Sequence, residues 1–332
     1  VLFRSWNDRL FAQRQFVDER AVARNLVGRA RRDFPALATP SILAVVDRVL
    51  PVLPPESAAD GPDDIANNLA RSLLTSGFDV LTGGPGTGKT HTLVRALALF
   101  TRAFLDSEGR PPRIALCAPT GKAATRAREM IADFTTTSDP TDAHHRAALG
   151  DEAMAVVAGV EPQTVHRLLG RAPGTIAGFR HGPADPLDHD IVVVDETSMV
   201  PLALMAALLG ALGPDTRLLL VGDDAQLESV ELGAVLAQIT RSAGAFERAA
   251  GRRVVHELTR VHRIEEGSTV GDLARAIRAG AEDAVIDLLR RAADDGAAAI
   301  TWAQSAHNTS VPRPVVERVA DALRPAVEIA SE

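Results

Sequence analysis

The sequence predicts an α/β fold, a mostly parallel sheet with helices on both faces, preceded by a small helical region. Short apolar runs recur at residues 78–81, 114–118, 191–194 and 218–221. They are near-continuous rather than alternating, the pattern of strands buried on both faces. Each run is followed by small or polar residues and then by a helical apolar pattern. A glycine-rich loop separates the first run from its helix. Ligands of such sheets sit beyond the carboxyl ends of the strands, so chemistry is expected there.

Residues 1–50 read as part of an amino-terminal helical domain, with Leu10, Phe11, Val17, Val22 and Leu26 at roughly helical spacing and arginines between them. Four prolines with Ser57, Asp60 and Gly61 make residues 51–62 a linker. A helix with Ile65, Leu69 and Leu73 on one stripe then leads through Gly77 to the first strand. Residues 63–255 are read as one domain and 256–332 as the start of an incomplete second one. Residues 135–142 and 171–190 are loop-like by composition. The opening Val1, Leu2, Phe3 and Trp6 suggests the interior of a longer chain.

A chain of 332 residues, 46% hydrophobic, can bury a large core. Its net charge of −7 excludes binding nucleic acid through bulk basic charge, so any such contact must be local. Its single cysteine, Cys117, excludes an internal disulfide and cannot build a cysteine-based zinc site. It is expected to be a small core residue. With no run of about 18 apolar residues and no secretory signal pattern, no membrane contact and a cytoplasmic location are expected. The nine histidines form no metal-ligand spacing, and His144, His145, His181 and His189 are assigned surface roles.

The strongest motif is Gly83-Gly84-Pro85-Gly86-Thr87-Gly88-Lys89-Thr90, which fits G-x-x-x-x-G-K-[ST] between a strand and a helix. Glycines let backbone N–H groups curl around phosphates, and the helix N-terminus adds partial positive charge. Lys89 is expected at the β- and γ-phosphates of ATP and Thr90 at Mg²⁺. The third strand run ends in Asp195-Glu196. There Asp195 is placed to hold Mg²⁺ and Glu196 to polarise the attacking water. The fourth ends in Gly222-Asp223-Asp224-Ala225-Gln226, where the Gln226 amide reads as a contact to the γ-phosphate or water, or as part of a polar loop. Ala118-Pro119-Thr120-Gly121-Lys122 reads as a DNA-phosphate site built on Thr120 and Lys122, or as a capped helix with a solvated lysine. Together the loop, the acid pair and the glycine-led polar run, in this order along the chain, predict a P-loop NTPase sheet of the RecA-like kind.

These runs, with Thr164-Val165-His166-Arg167-Leu168-Leu169-Gly170, Asp195-Glu196-Thr197-Ser198-Met199 and residues 222–236, resemble the RecD family, the alpha subunits of exodeoxyribonuclease V among superfamily 1 DNA helicases. The resemblance extends over residues 2–264. It implies an ATP-dependent motor on single-stranded DNA, acting with RecB and RecC at duplex DNA ends in recombinational repair. It also implies DNA-side roles for Thr120, Lys122, Thr164 and His166, and a small hairpin within residues 170–189. Leu258-Thr259-Arg260-Val261-His262-Arg263 is similar to the fourth helicase motif, which makes Arg263 the γ-phosphate arginine.

Two departures from the family pattern stand out. Asn67 or Asn68 occupies the place of an adenine-reading glutamine, and no second complete motor lobe follows. The chain by itself is therefore expected to bind nucleotide weakly and not to unwind DNA. Two alternatives compete: a stand-alone RecD-like helicase, and a docking subunit whose P-loop serves assembly.

Overall fold

A computed structural model of the chain describes residues 3–6, 9–33, 37–50, 65–136, 140–170, 178–226, 233–259, 269–278 and 280–294. Two compact units divide it, residues 1–261 and 262–332. The expected linker at 51–62 lies outside the described residues.

The chain opens with β1 (Phe3–Trp6) and β2 (Arg9–Ala12), an antiparallel pair where the sequence reads as helix. The pairing runs from Phe3 opposite Ala12 to Trp6 opposite Arg9, and that cross-strand register overrides the weak helical spacing. Six further strands form one parallel sheet: β3 (Phe78–Gly83), β4 (Ile114–Ala118), β5 (Gln163–Thr164), β6 (Ile191–Val194), β7 (Arg217–Gly222) and β8 (Val255–Leu258). Their spatial order is β5-β4-β6-β7-β3-β8. All four strands expected from apolar runs are present; β5 and β8 are too short or too polar to show as such runs.

Alternate residues of each central strand serve opposite faces, as the pleat requires. Leu81, Leu116, Ile191, Val193, Leu219 and Val221 face the layer that contains α2 (Pro40–Val49), α3 (Ile65–Thr75), α4 (Lys89–Glu108), α5 (Gly121–Thr136) and α7 (Asp151–Ala158). Between α5 and α7 runs α6 (Pro140–Leu149), so helix begins inside the stretch expected to be a loop. Val80, Cys117, Val192, Val194, Leu218 and Leu220 face α1 (Gln13–Ala30), α8 (Val165–Leu169), α9 (Leu202–Ala211) and α10 (Val235–Arg241). Each of the Val, Leu and Ile side chains among these contributes about 1.5–3 kcal/mol by leaving water.

Residues 13–33 and 37–50 are built into these layers. Val22, Leu26 and Ala30 of α1 pack on the face shared with α9, and α11 (Ala243–Ala250) lies beside α1. Arg29, only 6% exposed, donates to the carbonyls of Thr216, Leu212 and Gly213 at 2.5, 3.2 and 3.0 Å and to Asn25 Oδ1 at 2.7 Å. Burial, with repulsion from Arg32, lowers its pKa to about 10, and the carbonyls that surround it hold it in place.

The boundary expected at 255/256 needs correction, because residues 255–258 form β8 and pair with β3. A buried polar contact reinforces that pairing: His256 Nε2 lies 3.2 Å from Asp79 Oδ1, which also accepts from Ser72 Oγ at 2.5 Å. Burial pushes the Asp79 carboxyl up, and donors from His256 and Ser72 oppose the rise. The surface assignment of the histidines also needs correction for His145, 6% exposed. In the second unit, α12 (Thr269–Arg278) packs on α13 (Glu282–Asp294), with Gly280 at φ 65° between them. No helix among the described residues is long and apolar enough to cross a membrane.

Asp190 ties together the amino ends of three strands. Its Oδ2 accepts from the Arg113 N–H at 2.7 Å, and its carboxylate accepts two bonds from the Arg110 guanidinium at 2.9 Å. Its own N–H donates to the Arg113 carbonyl, and its carbonyl accepts from the Arg217 N–H. Burial alone would raise this carboxyl, but the side chains of Arg110 and Arg113 and the Arg113 N–H hold it well below the usual range. Asp190→Ala is expected to cost roughly 1–2 kcal/mol, since charge-assisted bonds are lost but the arginines are half exposed and screened. A depressed folded-state pKa contributes stability above the ordinary carboxylate value and loses it in acid. The gap in melting temperature between wild type and variant should therefore be full above about pH 4 and narrow below it.

Candidate active site

The loop at residues 83–90 stands at the carboxyl end of β3. Gly83 is demanded by close approach, since a Cβ there would lie 2.6 Å from the Leu258 carbonyl oxygen and 2.8 Å from Thr87 Oγ1. Gly86 and Gly88 take φ values of 76° and 86°, which only glycine adopts without penalty. Gly88 is also the N-cap of α4 and supplies no side-chain cap, so the helix's first N–H groups stay available to an anion. Thr87 braces the loop: its hydroxyl donates to the Gly84 carbonyl at 2.8 Å. Lys89 Nζ folds back over the loop and donates to the carbonyls of Gly83 and Gly84 at 2.6 and 2.9 Å. Thr90 is half-buried in the first turn of α4.

One strand, β7, separates β3 from β6, so the acid pair after β6 sits across the sheet's edge from the loop. Asp195 is joined to β4 through its N–H, which donates to the Cys117 carbonyl at 2.8 Å. Burial raises the Asp195 pKa to about 6; repulsion from Glu196 adds to the rise, while the Glu196 N–H at 2.9 Å, Lys89 and Arg126 oppose it. With β3, β7 and β6 running parallel side by side, the phosphate loop and the strand-end acid share one carboxyl edge. Glu196 has φ 51°, alone with a positive φ among the described residues other than glycine. Such a conformation costs about 1–3 kcal/mol and is held here by Thr197, whose hydroxyl donates to the Val194 carbonyl at 2.8 Å.

After β7, Gly222 lets the chain pass close to the acid turn, since a Cβ there would lie 2.7 Å from Leu236 Cδ2 and 3.2 Å from the Thr197 nitrogen. Asp223 is buried and its Oδ1 accepts from the Ala225 N–H at 3.1 Å; the Gln226 N–H donates to the Asp223 carbonyl at 3.3 Å. This closed turn leaves Gln226 exposed at the same edge.

The expected DNA-side residues gather along the same carboxyl edge, on the β4–β5 side beyond β6. The pairing of β4 with β5 matches Ala118 to Thr164 and so brings the two motif runs side by side. Thr120 Oγ1 accepts from the Ala123 N–H and Thr164 Oγ1 from the Arg167 N–H, both at 3.2 Å, so each threonine caps a helix. Lys122 and His166 are exposed, and the His166 ring stands 5.9 Å from Phe179 in the segment expected as a hairpin. Described from residue 178, that segment makes a tight turn in which Gly182 and Asp185 exchange backbone bonds at 3.1 Å. Cys117 is buried, and burial with Asp195 nearby pushes its thiol up to about 12, which leaves it unreactive.

Asn67 is engaged elsewhere. Its amide donates to the Leu50 carbonyl at 2.7 Å and to Asp47 Oδ1 at 3.2 Å, and its oxygen accepts from Arg71 Nε at 2.7 Å, all within the α2–α3 packing. Arg263 lies outside the described residues. Arg126, which the sequence reading passed over, bears on Asp195. Its signal was its place four residues after Lys122, on the same face of a helix.

A family model described as an AAA domain matches residues 67–232. The chain is 47% identical over 220 residues to the RecBCD enzyme subunit RecD of Mycolicibacterium smegmatis, 66% of this chain. It is 48% identical over 228 residues, 68% of this chain, to the RecBCD enzyme subunit RecD of Mycobacterium tuberculosis. To the subunit of the same name from Haemophilus influenzae it is 38% identical over 250 residues, 65% of this chain. In each case the matched stretch spans 36% of the relative's length.

Proposed function

Because the chain belongs to the AAA-domain family, whose model covers its residues 67–232, we propose that it forms the nucleotide-hydrolysing lobe of an ATP-dependent DNA motor of the RecD kind. The observation that carries this reading is the sheet order, which sets the phosphate loop after β3 and the Asp195–Glu196 pair after β6 at one carboxyl edge with only β7 between them, Glu196 standing in a strained turn. A bare phosphate-binding loop needs no such acid. A hydrolase does.

The loop N–H groups of residues 83–90 bind and orient the phosphates, and Lys89 moves from its own loop carbonyls to the β- and γ-phosphate oxygens. Thr90 and Asp195 would hold Mg²⁺, a hard cation that suits a hydroxyl and a carboxylate and supplies charge neutralisation at the phosphates. Glu196 accepts a proton from the attacking water, and Gln226 orients that water. Arg263 is proposed to stabilise the charge that develops in the transition state. Thr120, Lys122, Thr164 and His166 hold the single-stranded DNA backbone without reading sequence.

With RecB and RecC as partners at duplex DNA ends, the motor serves double-strand break repair by recombination in the cytoplasm. The test assembles the chain with RecB and RecC and measures DNA-stimulated ATP hydrolysis and unwinding of a tailed duplex. Hydrolysis that depends on single-stranded DNA is expected. An assembled complex in which Glu196→Gln changes neither readout would favour the docking-subunit reading instead.

A further inference from the structure

Thr82 is the last β3 residue before Gly83 and is buried at 1% exposure. Its hydroxyl donates to Asp224 Oδ1 at 2.8 Å and accepts from the Asp224 N–H at 3.4 Å. The pairing of β3 with β7 sets Thr82 opposite Gly222, so these bonds reach beyond the ladder to the turn that follows it. One hydroxyl thus fastens both the side chain and the backbone of a residue in a neighbouring loop. Asp224 is half-buried and stands two residues before Gln226 in the turn that Asp223 closes. On the other side, Gly83 follows Thr82 directly, and its carbonyl accepts from Lys89 Nζ at 2.6 Å. A short covalent and hydrogen-bonded path therefore joins Lys89, through Gly83, Thr82 and Asp224, to the turn bearing Gln226.

We propose that Thr82 and Asp224 are positioning residues that fix the Gln226 turn against the root of the phosphate loop. Neither touches the reacting atoms. Their effect is to keep the Gln226 amide at a set distance from the γ-phosphate, so that it orients water in one geometry rather than sampling many. A displacement of about 1 Å at such a group can cost on the order of a hundredfold in rate. Thr82 suits the task because a β-branched side chain on a strand has few rotamers, and its hydroxyl can donate and accept at once. The inference rests on the proposed ATP hydrolysis at this site.

The test uses Thr82→Val, which keeps shape and removes the hydroxyl, together with Thr82→Ser and Asp224→Ala, in the chain assembled with RecB and RecC. For Thr82→Val and Asp224→Ala, kcat for DNA-stimulated ATP hydrolysis should fall about ten- to a hundredfold. The Kd for a fluorescent ADP analogue should stay within roughly twofold, because the phosphate loop itself is intact. Thr82→Ser should restore the rate, and Thr82→Val should add little to Gln226→Ala, since both act through one group. Should Thr82→Val not fold, Asp224→Ala carries the same comparison from a half-exposed position. An unchanged kcat in a wild-type-active background would overturn the proposal. So would parallel losses of kcat, ADP-analogue affinity and melting temperature, which mark a merely structural bond. Absence of hydrolysis in the wild-type complex would instead defeat the hydrolysis reading on which the proposal stands.

Discussion

Glu196→Gln should lower kcat for ATP hydrolysis by about 10²- to 10⁴-fold, the range expected when a general base is removed. Glutamine keeps the shape of the side chain and the left-handed turn at φ 51°, so binding should change little. ATP retained with turnover lost is the expected outcome of paired binding and steady-state measurements on the assembled complex. A variant that still hydrolyses ATP at the wild-type rate would remove Glu196 from the chemistry. Asp195 is the natural contrast. Proposed as a Mg²⁺ ligand rather than as the base, it should on removal weaken metal-dependent nucleotide binding as well as turnover.

Gly83→Ala is the second large effect. The added carbon would fall 2.6 Å from the Leu258 carbonyl oxygen and 3.0 Å from Leu258 Cβ, so β3 and β8 would have to part. Overpacking of this kind costs about 1–3 kcal/mol. The neighbouring Thr87 hydroxyl, 2.8 Å from the same point, holds the loop closed on the Gly84 carbonyl. The phosphate cradle should open with it, and each 1.4 kcal/mol lost there weakens nucleotide binding tenfold. Thermal melting and titration with the ADP analogue check both parts. A variant with unchanged melting and affinity would show that β8 yields without disturbing the loop.

Much of this was legible in the residues. The four central strands were readable because a strand buried on both faces cannot hide a polar residue cheaply, and the runs at 191–194 and 218–221 contain none. The exception is instructive. Asp79 interrupts the first run, and its partners Ser72 and His256 lie 7 and 177 residues away. The loop at 83–90 was legible because its chemistry resides in the backbone and needs glycine at set positions. Asn67 shows the limit: an amide in the right place along the chain is committed to Leu50 and Asp47 once α2 packs on α3.

The residues alone determined the sheet type, the order of the motif runs and which side chains could bind phosphate, cation or water, since these follow from local spacing and functional groups. Tertiary structure decided what depends on contacts between distant segments. It brought α1 onto the far face of the sheet, added β8 as the sixth strand and placed the Lys89 charge near Asp195. It also joined Thr82 to Asp224 across 142 residues of chain. Hydrogen bonds and burial act through space, and only the assembled sheet brings those partners within reach.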